Sequence, residues 1–239
     1  MRAYLVTGSS SGLGAALVSL LLERGHIVFG MARTDRPEHA AVASGIYRYV
    51  RTDLAELDAL RDAVHSIMVE LSSQNIEDIT LVNNAATVQP LVTIEGCGAD
   101  DLVTNVHTNL SAPMILTSCF LEATERLPIA KTIVNVVSGS AKFPAPGMSV
   151  YCSAKAGLLM FTKCVALEQE PRRYPARVVA FDPGMMDTPM QAQARSTDFP
   201  MNGFFTKAAE EGQLADVVTV ARRLLERLDD AENGEVISV

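Results

Sequence analysis

The clearest chemistry in the sequence comes from a tyrosine and a lysine four positions apart, Tyr151 and Lys155. On a helix, side chains at this spacing face the same direction and lie close together. An ammonium group near a phenol favours the phenolate, so we expect Lys155 to lower the Tyr151 pKa from its reference value of about 10. Tyr151 could then donate a proton to a carbonyl oxygen during a reduction, or take it back during an oxidation.

A glycine-rich segment near the N-terminus reads Thr7-Gly-Ser-Ser-Ser-Gly-Leu-Gly14 and separates a short apolar run from a helical pattern. Glycines in such a turn let the backbone approach a ligand closely, and the free N–H groups at a helix start attract a pyrophosphate. The spacing TGxxxGxG differs from the general GxGxxG fingerprint, and a turn without a ligand is the alternative. The strand–turn–helix context favours dinucleotide binding.

This loop resembles the cofactor loop of the short-chain dehydrogenases/reductases. The likeness spans nearly the whole chain and continues, in family order and at family spacing, through Asn83-Asn84-Ala85-Ala86, Asn109, Ser138, Tyr151 with Lys155, and Pro183-Gly184. Within the family, the segments Asn105–Ser118 and Asp187–Arg195 look closest to the branch of bacterial benzil reductases that form (S)-benzoin. That branch is related to sepiapterin reductase.

The resemblance implies a catalytic tetrad of Asn109, Ser138, Tyr151 and Lys155. In the family the serine hydroxyl holds the substrate carbonyl, the tyrosine protonates it, the lysine also binds the nicotinamide ribose, and the asparagine supports a water relay. Taken singly, the residues have structural alternatives: Ser138 as a strand end, Asn109 as a helix residue bonded to a backbone carbonyl, and Tyr151 as a half-buried aromatic. Their joint appearance favours the catalytic interpretation.

The resemblance also implies which residues hold a dinucleotide cofactor. They are Gly8, Ser10, Ser11, Gly12, Leu13, Gly14, Arg33, Thr34, Asp53, Leu54, Asn84, Ala85, Ala86, Tyr151, Lys155, Pro183, Gly184, Met186 and Thr188. Asp53 is expected to accept from the adenine amino group, and its alternative is an N-cap for a helix beginning at Leu54. Ala86 stands where the family usually has Gly, so this loop must hold a conformation that alanine can adopt.

The end of the second predicted strand indicates which cofactor is used. A carboxylate there would accept from the adenosine ribose 2′-OH and repel a 2′-phosphate, whereas an arginine neutralises that phosphate. Ala32 occupies this position and Arg33 follows at once, which predicts NADP(H). Against this stand Asp35, Ser11 in place of a second basic residue, and the alternative that Arg33 is merely solvated, with Arg36 as a partial compensation.

Seven short β-rich apolar runs alternate with helical patterns and must position these residues. The predicted strands are Ala3–Thr7, His26–Ala32, Ile46–Val50, Ile79–Asn83, Thr132–Ser138, Arg177–Phe181 and Glu235–Val239. The predicted helices are Gly14–Arg24, Leu57–Leu71, Asp100–Glu125 with a kink near Pro113, and Ser149–Glu170. This alternation predicts an α/β fold, a single Rossmann-type doubly wound seven-stranded parallel sheet with helices on both faces, and residues 1–239 as one NAD(P)-binding domain.

The segment 187–212 has weak periodicity, so it is predicted to be a long irregular connection that serves as a substrate lid. The predicted substrate residues are Ser138, Ser140, Phe143, Met148, Tyr151, Met185 and Met190. Flexible Met and aromatic walls with little fixed charge suit an aromatic or vicinal diketone of the benzil type. The alternatives are core or dimer packing of these residues, a pteridine, 3-oxoacyl or sugar substrate, and a non-catalytic NADP sensor.

The composition limits the classes of binding partner and the cellular compartment that we expect. The 239 residues carry a formal net charge of −8 with dispersed arginines, which argues against nucleic acid. We expect neither a signal peptide nor a membrane-spanning stretch, and hence a cytoplasmic protein. The four cysteines lack metal-ligand spacing, so no metal is expected. The two long predicted helices resemble those that pair across a two-fold axis in relatives, which implies a homodimer or homotetramer. The expected partner is a small-molecule carbonyl substrate.

Overall fold

The structure, a computed structural model, describes residues 1–42 and 44–239. The strands are β1 (Arg2–Thr7), β2 (Ile27–Ala32), β3 (Ile46–Arg51), β4 (Asp78–Asn83), β5 (Ala130–Val136), β6 (Arg177–Asp182) and β7 (Val236–Ser238). They form one parallel sheet in the order β3-β2-β1-β4-β5-β6-β7. Parallel strands covered on both faces appear as continuous apolar runs, and every residue of β2 is buried. The predicted seven-stranded, doubly wound sheet is confirmed.

Helices cover both faces of this sheet. The α-helices of the described residues are α1 (Gly12–Glu23), α2 (Ala59–Leu71), α3 (Ala99–Val106), α4 (Ala112–Thr124), α5 (Ser149–Gln169), α6 (Pro189–Ser196), α7 (Asn202–Glu210) and α8 (Val217–Leu228). On one face, Leu17 of α1 and Leu224 of α8 are buried with Val6 of β1. On the other face, α2, α4 and α5 pack around Phe29 and Phe120. Because both faces are covered, polar side chains gather at the strand ends.

The long helix predicted over Asp100–Glu125 is present from Ala99 to Thr124, and a π turn interrupts its α-helical pattern just before Pro113. Helix α3 ends at Val106, a π-helical turn spans His107–Ser111, and α4 then begins. Pro113 lies just after this turn inside the continuous helical run, where it has no N–H to donate to a carbonyl of the preceding turn. The kink near Pro113 stays a prediction. The interruption is a π turn, a feature often found at functional sites, and it contains Asn109.

Two helices occupy most of the segment 187–212, so the prediction of an irregular connection is wrong. Thr188 caps α6, because its hydroxyl oxygen accepts a hydrogen bond from Gln191 N–H at 3.3 Å, and Pro189 suits the first helical turn. The Asn202 side-chain amide donates to three carbonyl groups at the C-terminal end of α6. Short helices held by caps and loop contacts show little apolar periodicity, which explains the error.

Helix α5 is 21 residues long and apolar enough, by length and composition, to span a membrane. The expectation that no stretch reaches this limit is therefore wrong. In the structure this helix packs on the sheet, where Leu158 contacts Val137 and Ala180, and Val165 belongs to the core with α2 and α4. A buried core helix satisfies the same criterion of length and composition.

Candidate active site

The C-terminal ends of the parallel strands open into a cleft of about 1280 Å³. The strand order reverses between β1 and β4, and open α/β sheets bind ligands in the crevice beside such a switch point. Most predicted site residues line this cleft: Gly8, Ser10, Ser11, Gly12, Leu13, Arg33, Thr34, Asp53, Leu54, Asn84, Ala85, Ala86, Ser138, Ser140, Met148, Tyr151, Lys155, Pro183, Gly184, Met185, Met186, Thr188 and Met190. Gly14, Asn109 and Phe143 are placed elsewhere.

Ser138, Tyr151 and Lys155 meet because β5 ends and α5 begins at the same edge of the sheet. Ser138 follows β5, and its hydroxyl oxygen accepts a hydrogen bond from Ser140 N–H at 3.2 Å. Tyr151 and Lys155 lie on successive turns of α5 and are 7% and 2% exposed. Lys155 Nζ donates to the Val136 carbonyl at 2.7 Å and lies 5.8 Å from the centroid of the Tyr151 ring. The lysine is thus anchored to the strand that leads to Ser138.

Burial changes the acidity of both groups on α5. It raises the pKa of Tyr151 to about 12, against the opposing effect of the neighbouring Ser138 hydroxyl. It also lowers the pKa of Lys155 to about 8. The expectation that Lys155 lowers the Tyr151 pKa is therefore wrong for this arrangement, because loss of hydration penalises the phenolate more than its surroundings stabilise it. Tyr151 keeps its proton at neutral pH, as a general acid must.

Asn109 is fully buried in the π turn rather than exposed to the cleft. Its Nδ2 donates to the Thr87 carbonyl at 2.8 Å, and its Oδ1 accepts from Thr87 N–H at 3.1 Å. Asn105, one turn earlier, accepts from Asn109 Nδ2 at 2.8 Å and donates to the Thr87 carbonyl at 3.3 Å. The two asparagines therefore fix the segment after β4 that forms a cleft wall. Asn105 was not among the predicted site residues, although its spacing of four from Asn109 was a usable signal.

The glycine-rich loop after β1 has the geometry of an anion site. Gly8 has a φ of +68°, and a Cβ on Gly14 would lie 2.2 Å from the Gly8 carbonyl oxygen, so Gly14 supports the loop from inside. The first hydrogen bond of α1 runs from Ala15 N–H to the Ser11 carbonyl at 3.1 Å, which leaves the preceding N–H groups without partners inside the helix. The first turn carries no acidic residue. A pyrophosphate fits this loop and helix start.

After β2, Arg33 lies at the cleft, whereas the Asp35 carboxylate is directed away from it. Arg33 and Thr34 are exposed and line the cleft. The Asp35 carboxylate accepts from the Tyr47 hydroxyl at 3.1 Å and from Arg36 N–H at 2.7 Å. Positive charge therefore borders this end of the cleft, where the sequence predicted the adenosine ribose.

The segment after β3 places Asp53 against the same end of the cleft. Its Oδ1 accepts from Ala55 N–H at 3.0 Å in a turn, while α2 begins only at Ala59. The alternative of an N-cap for a helix beginning at Leu54 is therefore wrong. Asp53 also lines a second cavity of about 420 Å³, which contains Arg33 and Arg51.

Ala86, which stands in the loop after β4 where the family usually has glycine, causes no backbone strain. Among residues 1–42 and 44–239, every residue with a positive φ is a glycine, so Ala85 and Ala86 hold conformations open to any side chain. The Thr7 hydroxyl accepts from the N–H groups of Asn84 and Ala85 at 2.9 and 3.0 Å. The Asn84 side chain donates to the Thr7 carbonyl at 2.9 Å, which ties this loop to the end of β1.

The loop after β6 and the helix α6 form the remaining wall. Ala215 N–H donates to the Met185 carbonyl at 2.9 Å, and Asp187 N–H donates to the Ala215 carbonyl at 3.1 Å, so the segment around Met186 is held in place. Phe143 does not join this wall, because it follows a 3₁₀ turn on the surface and is 70% exposed. Its prediction as a substrate residue is wrong. Cleft residues absent from the predicted substrate set include Val88, Val137, Gln191 and Phe205.

The chain is similar to known proteins over most of its length. Residues 2–198 match the family model described as short chain dehydrogenase. The chain is 38% identical to benzil reductase ((S)-benzoin forming) of Bacillus cereus, over all of this chain and 99% of the relative. Its identity to the protein of the same name in Bacillus subtilis (strain 168) is 36%, over 100% and 98%. Sepiapterin reductase of Meriones unguiculatus is 32% identical, over 94% and 90%.

Solved structures show the same fold. The KRED1-Pglu enzyme superposes with a TM-score of 0.83 at 25% identity, covering 99% of this chain and all of that one. Levodione reductase gives a TM-score of 0.82 at 22% identity, covering 100% and 95%. The chain belongs to the short-chain dehydrogenase/reductase family, whose members bind nicotinamide cofactors, and is an oxidoreductase that acts on C=O and CH–OH groups.

Proposed function

We propose that this chain reduces an aromatic or vicinal diketone of the benzil type to a hydroxyketone, with NADPH as reductant and Tyr151 as general acid. The observation that carries the proposal is the buried, protonated Tyr151 beside Ser138, in a cleft whose other end is the glycine-rich loop. The two full-length Bacillus relatives named benzil reductase support the reaction class.

The cleft residues divide the chemistry among them. A bound nicotinamide cofactor would supply the hydride that the carbonyl carbon accepts. The Ser138 and Tyr151 hydroxyls hold the carbonyl oxygen, and Tyr151 donates its proton as negative charge develops there. Lys155, with a pKa of about 8, is mostly an ammonium at neutral pH and stabilises the phenolate that remains. Asn109 positions the wall at Thr87, and its place in a water relay is part of the proposal.

The preference for NADPH follows from charge at the end of β2. Arg33 is exposed there, lines the cleft and borders the second cavity, so its guanidinium can pair with a 2′-phosphate. Asp35, the nearest carboxylate in sequence, is bonded to Tyr47. The expected site for the adenosine ribose therefore lacks the acidic partner that would favour NADH.

The substrate end of the cleft is mostly apolar. Val88, Met148, Met185, Met190 and Phe205 supply its side chains. Flexible methionines and an aromatic ring adapt to a flat apolar molecule, and none of these groups carries a charge that would hold a carboxylate. An aromatic diketone is the substrate class that this wall supports best.

One polar group on the wall favours a second candidate, a pteridine. Gln191 is 6% exposed, and its Nε2 donates to the Phe205 carbonyl at 3.1 Å. Its Oε1 has no hydrogen-bond partner in the part of the chain that the structure describes and is itself buried, so it reaches a ligand only when the side chain turns toward the cleft. A pteridine ring offers N–H donors for such a contact, which benzil lacks. The sepiapterin reductase relatives support this alternative.

Initial rates of NADPH oxidation with benzil, sepiapterin and an acetoacetyl thioester separate the candidates. We expect benzil to give the highest kcat/KM, and Gln191→Met, which removes the acceptor at similar volume, to affect sepiapterin more than benzil. A higher kcat/KM with sepiapterin would replace the diketone by the pteridine. Tight NADPH binding without turnover of any carbonyl, sugars included, would favour a non-catalytic sensor.

We also propose that residues 1–239 form one domain, that the protein is cytoplasmic, and that it assembles as a homodimer or homotetramer through α4 and α5. Met160, Cys164 and Leu167 form an exposed stripe on α5, with Met160 and Leu167 61% and 66% exposed. An apolar stripe of this kind is suited to burial against a second copy.

A further inference from the structure

The segment after β2 carries opposite charges within four residues. Arg33 lines the cleft, whereas Asp35 lies two residues further and does not. A carboxylate at the ribose would accept hydrogen bonds from its hydroxyls and repel a 2′-phosphate. The position in which Asp35 is held therefore bears directly on the choice between the two nicotinamide dinucleotides.

Tyr47 of β3 supplies the side chain that holds Asp35. Its hydroxyl donates to Asp35 Oδ1 at 3.1 Å, and Arg36 N–H donates to the same oxygen at 2.7 Å. Hydrogen bonds to an ionised acceptor are stronger than those between neutral groups. The carboxylate is thus directed toward β3 and away from the cleft.

Tyr47 is itself fixed by its neighbours. A Cβ on Gly30 would lie 2.8 Å from the Tyr47 ring, so the ring packs closely against the β2 backbone at a residue that has no side chain. The His39 ring meets the tyrosine edge-on at a centroid distance of 5.2 Å. His39 Nε2 lies 3.1 Å from the carbonyl oxygen of Ser9 in the glycine-rich loop. Because the Tyr47 ring is packed between Gly30 and His39, its hydroxyl cannot move with Asp35 into the cleft.

We propose that Tyr47 is a positioning residue for cofactor choice, which favours NADPH by keeping the Asp35 carboxylate away from the 2′-phosphate. This rests on the NADPH preference proposed above. Tyr47→Phe keeps the ring and removes the hydroxyl that holds the carboxylate. Asp35 then turns toward the cleft, repels a 2′-phosphate and accepts hydrogen bonds from a 2′-OH.

Calorimetric titration of the purified protein with NADP⁺ and NAD⁺ tests the proposal without a carbonyl substrate. Tyr47→Phe lowers the ratio of NADP⁺ to NAD⁺ affinity about fivefold, the size expected for one lost hydrogen bond. High salt reduces the change, because the repulsion is between exposed charges. Adding Asp35→Asn to Tyr47→Phe restores the ratio. Tyr49→Phe is the matched control, since that hydroxyl lies on the same strand but donates to the Ala32 carbonyl at 3.1 Å.

The outcomes separate this inference from the proposed function. An unchanged affinity ratio in Tyr47→Phe, or an equal loss for both cofactors that Asp35→Asn does not rescue, would overturn the positioning role. Equal binding of both cofactors by the wild type would instead contradict the proposed NADPH preference. Thermal unfolding of each variant checks that the fold is intact.

Discussion

At the scale of single residues, sequence spacing predicted where the candidate catalytic side chains lie but not their acidity. Ser138, Tyr151 and Lys155 line one cleft, because a strand end and two helix turns have fixed geometry. The predicted direction of the Tyr151 pKa was wrong, because this pKa is governed by burial, which residue spacing does not reveal. Phe143 was misplaced for a similar reason. Whether an aromatic residue near the site lines the cleft or lies on the surface depends on the turn before it. The adjacent sequence does not specify the course of that turn.

The buried ammonium of Lys155 gives a prediction for pH-dependent stability. Its pKa is about 8 in the folded protein, lowered by burial from the ordinary lysine value of 10.5, so the unfolded chain holds more protons between these values. The unfolding free energy of the wild type therefore rises from pH 8 to pH 10 relative to Lys155→Met, which has no proton to lose. Denaturant unfolding at several pH values measures this difference. The exposed Lys163→Met is the control, and a difference for Lys155→Met that stays constant with pH would contradict the prediction.

Secondary-structure elements were predictable where apolar periodicity is strong. Strands β1 to β7 and helices α1, α2 and α5 carry long apolar patterns, and their predicted bounds lie within a few residues of those observed. The π turn and α6 were not foreseen. In the first, Asn109 is hydrogen-bonded to the distant Thr87, and the second begins at a cap on Thr188. Contacts remote in sequence leave no local pattern.

Gly14→Ala tests whether helix α1 and the loop before it must meet closely. Its Cβ would lie 2.2 Å from the Gly8 carbonyl oxygen, so the loop must move and the helix start loses its geometry for a pyrophosphate. We expect affinity for NADP⁺ to fall about tenfold or more, as for loss of a charged hydrogen bond. Gly203→Ala in α7 is the control, because its Cβ meets nothing within 4 Å and alanine favours a helix. Unchanged affinity in Gly14→Ala would refute the close-packed loop.

The overall fold was easier to predict than single elements or residues, because seven apolar strands separated by helices can be arranged in few ways. Right-handed crossovers and burial on both faces predict a doubly wound parallel sheet, and the observed order β3-β2-β1-β4-β5-β6-β7 is one of the few that satisfy them. Assembly is less accessible from sequence. The stripe of Met160, Cys164 and Leu167 lies on a helix whose other side is core, and only the fold reveals which side is exposed.

Leu167→Glu tests assembly through α5. Burying a new charge against a second copy is unfavourable, so light scattering after size exclusion should show a smaller species than the wild type. Val69→Glu on α2 is the control, since Val69 is 59% exposed on a helix outside the proposed interface. A wild type that is already monomeric, or a Leu167→Glu variant of unchanged mass, contradicts this interface.

The most direct measurement for the whole account is NADPH oxidation with benzil by the wild type and by Tyr151→Phe. The variant keeps the ring and removes the proton donor, so turnover should fall by about 10² to 10⁴-fold while NADP⁺ still binds. Tyr174→Phe, which alters a tyrosine that does not line the cleft and lies beside Lys131, should retain full rate. Undiminished turnover in Tyr151→Phe would contradict Tyr151 as the general acid.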